Sequence, residues 1–224
     1  MIMPALPGII AAINPVAGAL TLTFLDFTES DAASVTLLST IQAGDLLVLV
    51  QKASKSTTAP PHVVPPGWTS VGSFGFNATT FATRLGAVFK IAVSADASKT
   101  ITGMNGSSSN AKVALVFRPS TPLTTAAKFG NSFEVTNGNP SDKVIASGGG
   151  TPPLVVFGAF GELNNTNPAS RAMSVTEDGE VDSSSSDDVF CKYKIYNTAP
   201  ANITMSMDDE GAKNALGGWW IEVA

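Results

Sequence analysis

The chain offers few groups for catalysis, since it contains a single histidine, His62. A Ser-His-Asp triad would have to use this imidazole as its base. His62 lies in the proline-rich segment 59–66, where an imidazole is poorly positioned for general base chemistry. The sequence also lacks a Gly-x-Ser-x-Gly elbow, which would present a serine nucleophile. We therefore predict that the protein is not an enzyme.

Residues that bind metals are equally scarce. The only cysteine is Cys191, which excludes an internal disulfide and any site built from several cysteines. A zinc site needs several histidine or cysteine ligands, and the chain has one of each. We expect Cys191 to be a small core residue of a strand, because free cysteine is among the most buried residue types. No cofactor is predicted.

Acidic residues cluster in two places, within 177–188 and at 208–210. Converging carboxylates can bind calcium, although neither run has the spacing of an EF-hand loop. Paired carboxylates are also the catalytic groups of glycosidases, but no aromatic residue accompanies these runs. A serine-rich acidic run is more typical of a solvated loop. Calcium binding at these two runs stays open at this stage.

Two adjacent tryptophans, Trp219 and Trp220, lie on the last predicted strand. Neighbouring strand residues point to opposite faces, so one indole should lie inside and the other outside. The outer indole could stack on a sugar ring or contact another subunit. We favour a subunit contact, or cover by a second layer such as the N-terminal segment.

The charge balance argues against nucleic acid as a partner. The formal net charge is −5, and only 14% of the residues are charged. Phosphate binding needs clustered lysine and arginine, and the nearest approach is Lys192 and Lys194 on one predicted strand.

The first 19 residues are apolar and contain no lysine or arginine. A signal peptide needs a positive start, and prolines and glycines interrupt the run too often for a membrane helix, so no membrane partner is predicted. We interpret 1–19 as an extended arm that packs on its own sandwich or on a neighbouring subunit. The predicted assembly contacts are Ile2, Met3, Leu6, Ile9, Ile10 and Ile13.

Hydrophobic patterning predicts an all-β fold. About fourteen short runs rich in valine, isoleucine, threonine and phenylalanine alternate with glycine, proline, asparagine and serine clusters, as in sandwiches. The segment 46–50 is continuously apolar, which predicts a central strand covered on both faces. We predict an antiparallel β-sandwich of the jelly-roll type over 20–224.

An internal repeat divides this sandwich into 20–119 and 120–224. Phe89-Lys90-Ile91 in the first half matches Tyr193-Lys194-Ile195 in the second. An Ile-Thr pair follows each of them, at Ile101 and at Ile203. We expect one structural unit, because no flexible linker separates the halves.

Four segments of the first half follow one another in a characteristic order: 44–49, 66–69, 89–92 and 116–118. This order resembles structural proteins of tailed-bacteriophage virions, described as tail-fibre-like or capsid-associated. The resemblance covers about 20–119 and carries no catalytic residues. The second half lacks the Gly-Asp opening and the Pro-Gly-Trp turn of these motifs.

The resemblance implies a non-enzymatic virion protein, assembled in the host cytoplasm and exposed on the particle as capsid decoration or as part of a tail fibre or spike. Its implied partners are other virion proteins and further copies of itself, with a trimer as the expected oligomer. The alternative is a carbohydrate- or receptor-binding β-sandwich module.

Overall fold

The computed structural model consists almost entirely of antiparallel strands joined by turns. It describes residues 19–55, 58–77, 82–104, 109–136, 143–145, 153–161, 170–182, 189–197, 202–208 and 214–223. The strands are β1 (Leu22–Ser30), β2 (Val35–Thr36), β3 (Leu46–Lys55), β4 (Thr69–Asn77), β5 (Ala82–Ile91), β6 (Thr100–Ile101), β7 (Ser109–Pro119), β8 (Ala126–Thr136), β9 (Lys143–Ile145), β10 (Leu154–Gly161), β11 (Ser170–Met173), β12 (Gly179–Asp182), β13 (Val189–Tyr196), β14 (Ile203–Asp208) and β15 (Asn214–Val223). The predicted arm lies outside the described residues, apart from Ala19.

Two five-stranded sheets form the body of the molecule, and each comes from one half of the chain. The strand order of the first sheet is β1-β7-β3-β5-β4. That of the second sheet, read from its opposite edge, is β8-β15-β10-β13-β12. Each strand of one sheet therefore has a counterpart at the same place in the other. The small pairings β2-β6 and β9-β14 correspond in the same way.

Residue pairing within the sheets repeats this correspondence. Val48 on β3 lies between Phe89 and Leu115. Phe157 on β10 lies between Tyr193 and Trp219. Phe89 and Tyr193 are the aromatic residues that align in the sequence repeat, so the repeat in sequence coincides with a repeat in register.

The two sheets pack face to face around a central apolar core. It contains Leu46, Val48 and Val50 from the first sheet and Val155 and Phe157 from the second. Aromatic rings cross the layer, with Phe117 edge-on to Phe157 at 5.5 Å between centroids.

The contacts between the sheets are reciprocal. Strand β5 contacts β15, and β7 contacts β13, the counterpart of β5. Such an exchange of equivalent elements is the arrangement found in a two-fold symmetric dimer. These two contacts within the single chain are therefore arranged like those of a two-fold symmetric dimer.

Further apolar layers cover the outer faces of both sheets. Leu47 and Leu49 of β3 pack outward against Val35, Ile101 and Trp68, under the small sheet β2-β6. On the second sheet, Val156 and Phe160 pack under the three-stranded sheet β11-β14-β9. Strand β3 is thus buried on both faces over Leu46–Ser54, as its continuous apolar run predicts.

The prediction of an antiparallel all-β sandwich is confirmed, whereas jelly-roll topology is not. The strand order is that of a duplicated five-stranded sheet with small covering sheets.

Candidate functional site

The segments that carry the family resemblance meet at one end of the first sheet. The Asp45 carboxylate receives two hydrogen bonds from Arg118, from Nε at 3.0 Å and from Nη2 at 2.8 Å. It also accepts the Gln42 backbone N–H at 2.8 Å. The hydrogen bond to Asp45 raises the pKa of Arg118, and burial opposes this shift.

Glycine is required immediately before this aspartate. Gly44 has a φ of +90°, and an added Cβ would lie 2.5 Å from Pro122 Cβ. The close approach brings the chain after β7 against the turn before β3, where Leu123 N–H donates to Gly44 C=O. The Gly-Asp motif therefore closes this end of the sheet.

A second buried aspartate stabilises the same half. Asp96 accepts Lys90 Nζ at 2.7 Å and the Val93 backbone N–H at 2.8 Å. Lys90 is the lysine of the repeated aromatic-Lys-Ile motif. The motif residues described so far thus form structural contacts within the fold.

His62 packs over the first sheet, with a serine hydroxyl beside its ring. Its imidazole lies directly above Gly86, where any larger residue would collide with it. Nε2 is 3.2 Å from Ser70 Oγ, and within the described part of the chain no carboxylate forms a hydrogen bond with the ring. Burial and the nearby Arg84 guanidinium lower the pKa of His62. The neutral ring is therefore favoured, which suits a packing role.

The sequence prediction missed two buried lysines, Lys52 and Lys112, each 1% exposed. Lys112 Nζ donates to Ala32 C=O at 2.5 Å. Burial lowers the pKa of Lys112 to about 8, and the nearby Asp31 opposes this shift. A lysine inside a strand pattern is normally assigned to the surface, so the apolar neighbours on β7 were the only signal.

Three carboxylates in the described part of the acidic run 177–188 pair with cations. Lys192 Nζ is 2.6 Å from Glu177 Oε1, and Lys194 Nζ is 2.5 Å from Asp178 Oδ1. Glu180 pairs with Arg171 at 2.9 Å. The hydrogen bond from Lys192 lowers the pKa of Glu177. These carboxylates thus act as partners of lysine and arginine.

Calcium ligation finds no geometric support in this region. No group of three or more histidine, cysteine, aspartate or glutamate side chains converges on a metal position within the described part of the chain. Residues 183–188 and 209–210 lie outside it, as does the side chain of Asp208.

Trp219 and Trp220 point to opposite faces, as the strand alternation predicts. Trp219 is completely buried in the central core and stacks on Phe157, with 5.5 Å between ring centroids. Trp220 is half-buried against the outer apolar layer, which includes Ile203 and Met205 of the covering sheet. The cover over Trp220 thus includes strand β14.

Cys191 is fully buried in the central core. Burial raises the pKa of its thiol, with a smaller contribution from Glu180. Because the thiolate is the reactive form, this environment favours an inert cysteine.

One seam between the two sheets is open. An open groove of about 370 Å³ runs between β1 and β13, lined by Phe24, Tyr193 and Ile195 among others. At the opposite seam, β4 and β8 are in contact. The groove is therefore a departure from the two-fold arrangement of the halves.

Comparison of the chain with known protein families, curated proteins and solved structures gave no match. Among the described residues, no helix is long and apolar enough to cross a membrane.

Proposed function

We propose that this protein is a non-enzymatic structural component of a bacteriophage particle, exposed on its surface as capsid decoration or as part of a tail fibre or spike. The observation that carries the proposal is the structural role of the motif residues. Asp45 and Arg118, which belong to the resembling segments, form the bidentate ion pair that closes the first sheet. A resemblance built on such contacts supports a shared architecture with virion proteins.

The layered apolar packing also supports a durable scaffold. Both main sheets are covered on both faces, and the cores on either side contain many fully buried side chains. Large buried apolar area stabilises the folded state and slows local opening. Such resistance suits a protein that must persist outside the cell on a particle.

Assembly through the N-terminal segment belongs to the same proposal. Residues 1–19 would contact other virion proteins or further copies of the chain, through Ile2, Met3, Leu6, Ile9, Ile10 and Ile13. The segment leads into β1, an edge strand that pairs only with β7 among the described strands. Apolar residues beside an edge strand are well placed to dock on a neighbour.

Mass spectrometry of purified particles tests the proposal directly. We expect the chain to be present, with a copy number that distinguishes the two locations. Hundreds of copies per particle would indicate capsid decoration, as many capsid sites repeat by symmetry, and a few to a few tens would indicate a tail or vertex appendage. Complete absence from particles would overturn the proposal.

Deletion of residues 1–19 tests the assembly contact. We expect the shortened chain to keep its thermal transition, because the described residues that follow this segment already form three apolar cores with one another. It should nevertheless be lost from purified particles. Recovery of the shortened chain with particles at the normal copy number would contradict the role of the segment.

A further inference from the structure

The groove between β1 and β13 has one apolar side and a rim of polar groups. Leu22, Phe24 and Ile195 form the apolar side. The Phe24 ring is half-buried and lies 4.7 Å from the Tyr193 ring, between centroids. A volume of about 370 Å³ is at the lower end of the range for small-molecule sites.

The polar rim presents hydrogen-bonding groups with little net charge. Asp178, on the rim, is held by Lys194 Nζ at 2.5 Å and by the Ile195 backbone N–H at 2.7 Å. Its negative charge is therefore balanced within the protein. A strongly charged ligand would find no unbalanced opposite charge at this rim.

Two further rim residues are available to a ligand. Asn197 uses its Oδ1 to accept the Leu22 backbone N–H at 3.0 Å, and its amide NH2 group donates to no other described residue. The Thr23 side chain is exposed beside it on β1. The groove thus offers both a donor and a hydroxyl group next to the apolar side.

Tyr193 adds a phenol that stays protonated over the physiological range. Burial raises its pKa to about 12, and the nearby Asp178 carboxylate adds to this shift. Gly179 leaves the space that the phenol oxygen occupies, because an added Cβ at this position would collide with it.

We propose that this groove binds a neutral pyranose ring of a glycan. A pyranose has an apolar C–H face, which suits Phe24 and Ile195, and hydroxyl groups that can bond to Asn197, Thr23 and Asp178. Aromatic and aliphatic cover together with a few placed polar groups is the usual composition of a small-ligand site. Because the charge of Lys194 is already balanced by Asp178, the rim offers an anionic sugar no unbalanced positive charge, which favours neutral sugars.

Saturation-transfer NMR on the full chain tests the proposal, with the methyl pyranosides of glucose, galactose, mannose and N-acetylglucosamine as probes. We expect transfer to at least one of them, and weaker transfer to N-acetylneuraminic acid because the rim offers no unbalanced positive charge to its carboxylate. Absence of transfer to all four would overturn the proposal. So would stronger binding of the anionic sugar.

Substitutions of groove residues test whether the sugar binds in the groove. Phe24→Ala should weaken binding about fivefold, since an aromatic contact contributes about 1 kcal/mol. Thr23→Trp, at an exposed position, should block the groove without disturbing the core. The matched control is Phe74→Ala on β4, which removes an aromatic residue 42% exposed at the other edge and should leave binding unchanged.

Folding of each variant is checked by its thermal transition. If Phe24→Ala proves unstable, Thr23→Trp carries the test alone, because its side chain lies at the surface. Binding that survives in a folded Thr23→Trp variant would overturn the assignment. The sugar measurement uses the isolated protein, so its failure is separate from absence of the chain from particles.

Discussion

The outer faces of the two sheets differ in chemistry while sharing one register. In the first sheet, Gln51 lies between Gly86 and Lys112. At the corresponding place in the second sheet, Phe160 lies between Phe190 and Leu216. One row is polar with a glycine, and the other is entirely apolar.

In each sheet, this row of three residues contacts the loops or strands that cover the outer face. On the first sheet, Gln51 donates to Val63 C=O at 2.8 Å and Lys112 donates to Ala32 C=O, while His62 fills the space above Gly86. On the second sheet, Phe160, Phe190 and Leu216 share an apolar cluster with the methionines of the covering strands. At this row, hydrogen bonds to loops hold the covering layer of the first sheet, whereas apolar contacts to strands hold that of the second sheet.

Corresponding residues at the ends of the two sheets also differ in polarity. In the first sheet, the buried Asp45 and the partly exposed Arg118 form an ion pair next to the pair Leu46–Phe117. Leu154 and Glu222 are paired at the corresponding place in the second sheet. The duplicated fold therefore depends on strand register and on the alternation of faces, and each half satisfies these with its own side chains.

The largest loss of stability is expected when a residue of one half replaces its counterpart in the other half. Leu154→Asp places the first-half residue in the second half, where the site is 0% exposed and faces Glu222 across the pair. We expect a loss of more than about 4 kcal/mol in unfolding free energy, because a buried carboxylate there has a like charge beside it. Urea denaturation measures the loss.

The double variant Leu154→Asp/Glu222→Arg is the companion to this test. It recreates the Asp–Arg pairing at the corresponding register and should recover about 2 kcal/mol. Stability no better than that of the single variant would show that the two sheet ends are not equivalent.

Removal of Asp45 should have the next largest effect. Asp45→Ala removes the acceptor of the Gln42 N–H and of two Arg118 hydrogen bonds, while Arg118 Nη2 keeps its bond to Thr40 C=O. We expect a cost of about 2–3 kcal/mol. The matched control is Asp178→Ala in the second half, whose side chain is 35% exposed and whose loss should cost less than about 1 kcal/mol. Equal losses in urea denaturation would contradict the contrast between the halves.

Lys112→Met should have the smallest effect, with a distinctive pH dependence. The folded pKa of Lys112, about 8, is below its ordinary value of 10.5, so this lysine destabilises the folded state below about pH 8. The penalty disappears as the pH rises towards 10.5. We expect a gain of about 1–2 kcal/mol near neutral pH, after the lost bond to Ala32 is included.

Calorimetry at about pH 7 and about pH 10 measures this gain, which should shrink at the higher pH. Leu216→Met, at the corresponding apolar position, serves as control and should show no such pH dependence. A gain from Lys112→Met that is the same at both pH values would exclude the proposed burial penalty.

Much of the fold could be predicted from the sequence. The continuous apolar run at 46–50 indicated a strand covered on both faces, and Phe89-Lys90-Ile91 matched Tyr193-Lys194-Ile195 because both strands need the same face pattern. The opposite orientations of Trp219 and Trp220 followed from strand alternation alone.

The features that could not be predicted depend on contacts between residues that are far apart in the sequence. Nothing near Lys112 in the sequence indicates that the loop at Ala32 covers it. The acidic run 177–188 was open to a calcium interpretation because Lys192 and Lys194, the partners of Glu177 and Asp178, follow about 15 residues later on another strand. The groove beside Phe24 likewise combines residues from both halves, so no local pattern could reveal it.

The strand order sets the time at which each sheet can form during synthesis. Strand β7 is the last of its half to be made, yet it lies between β1 and β3, and β15 likewise lies between β8 and β10. Strand β1 must therefore wait for its hydrogen-bonded neighbour until nearly the whole first half has left the ribosome. At ordinary translation rates this delay lasts several seconds, during which an apolar strand is exposed to chaperones and to other nascent chains.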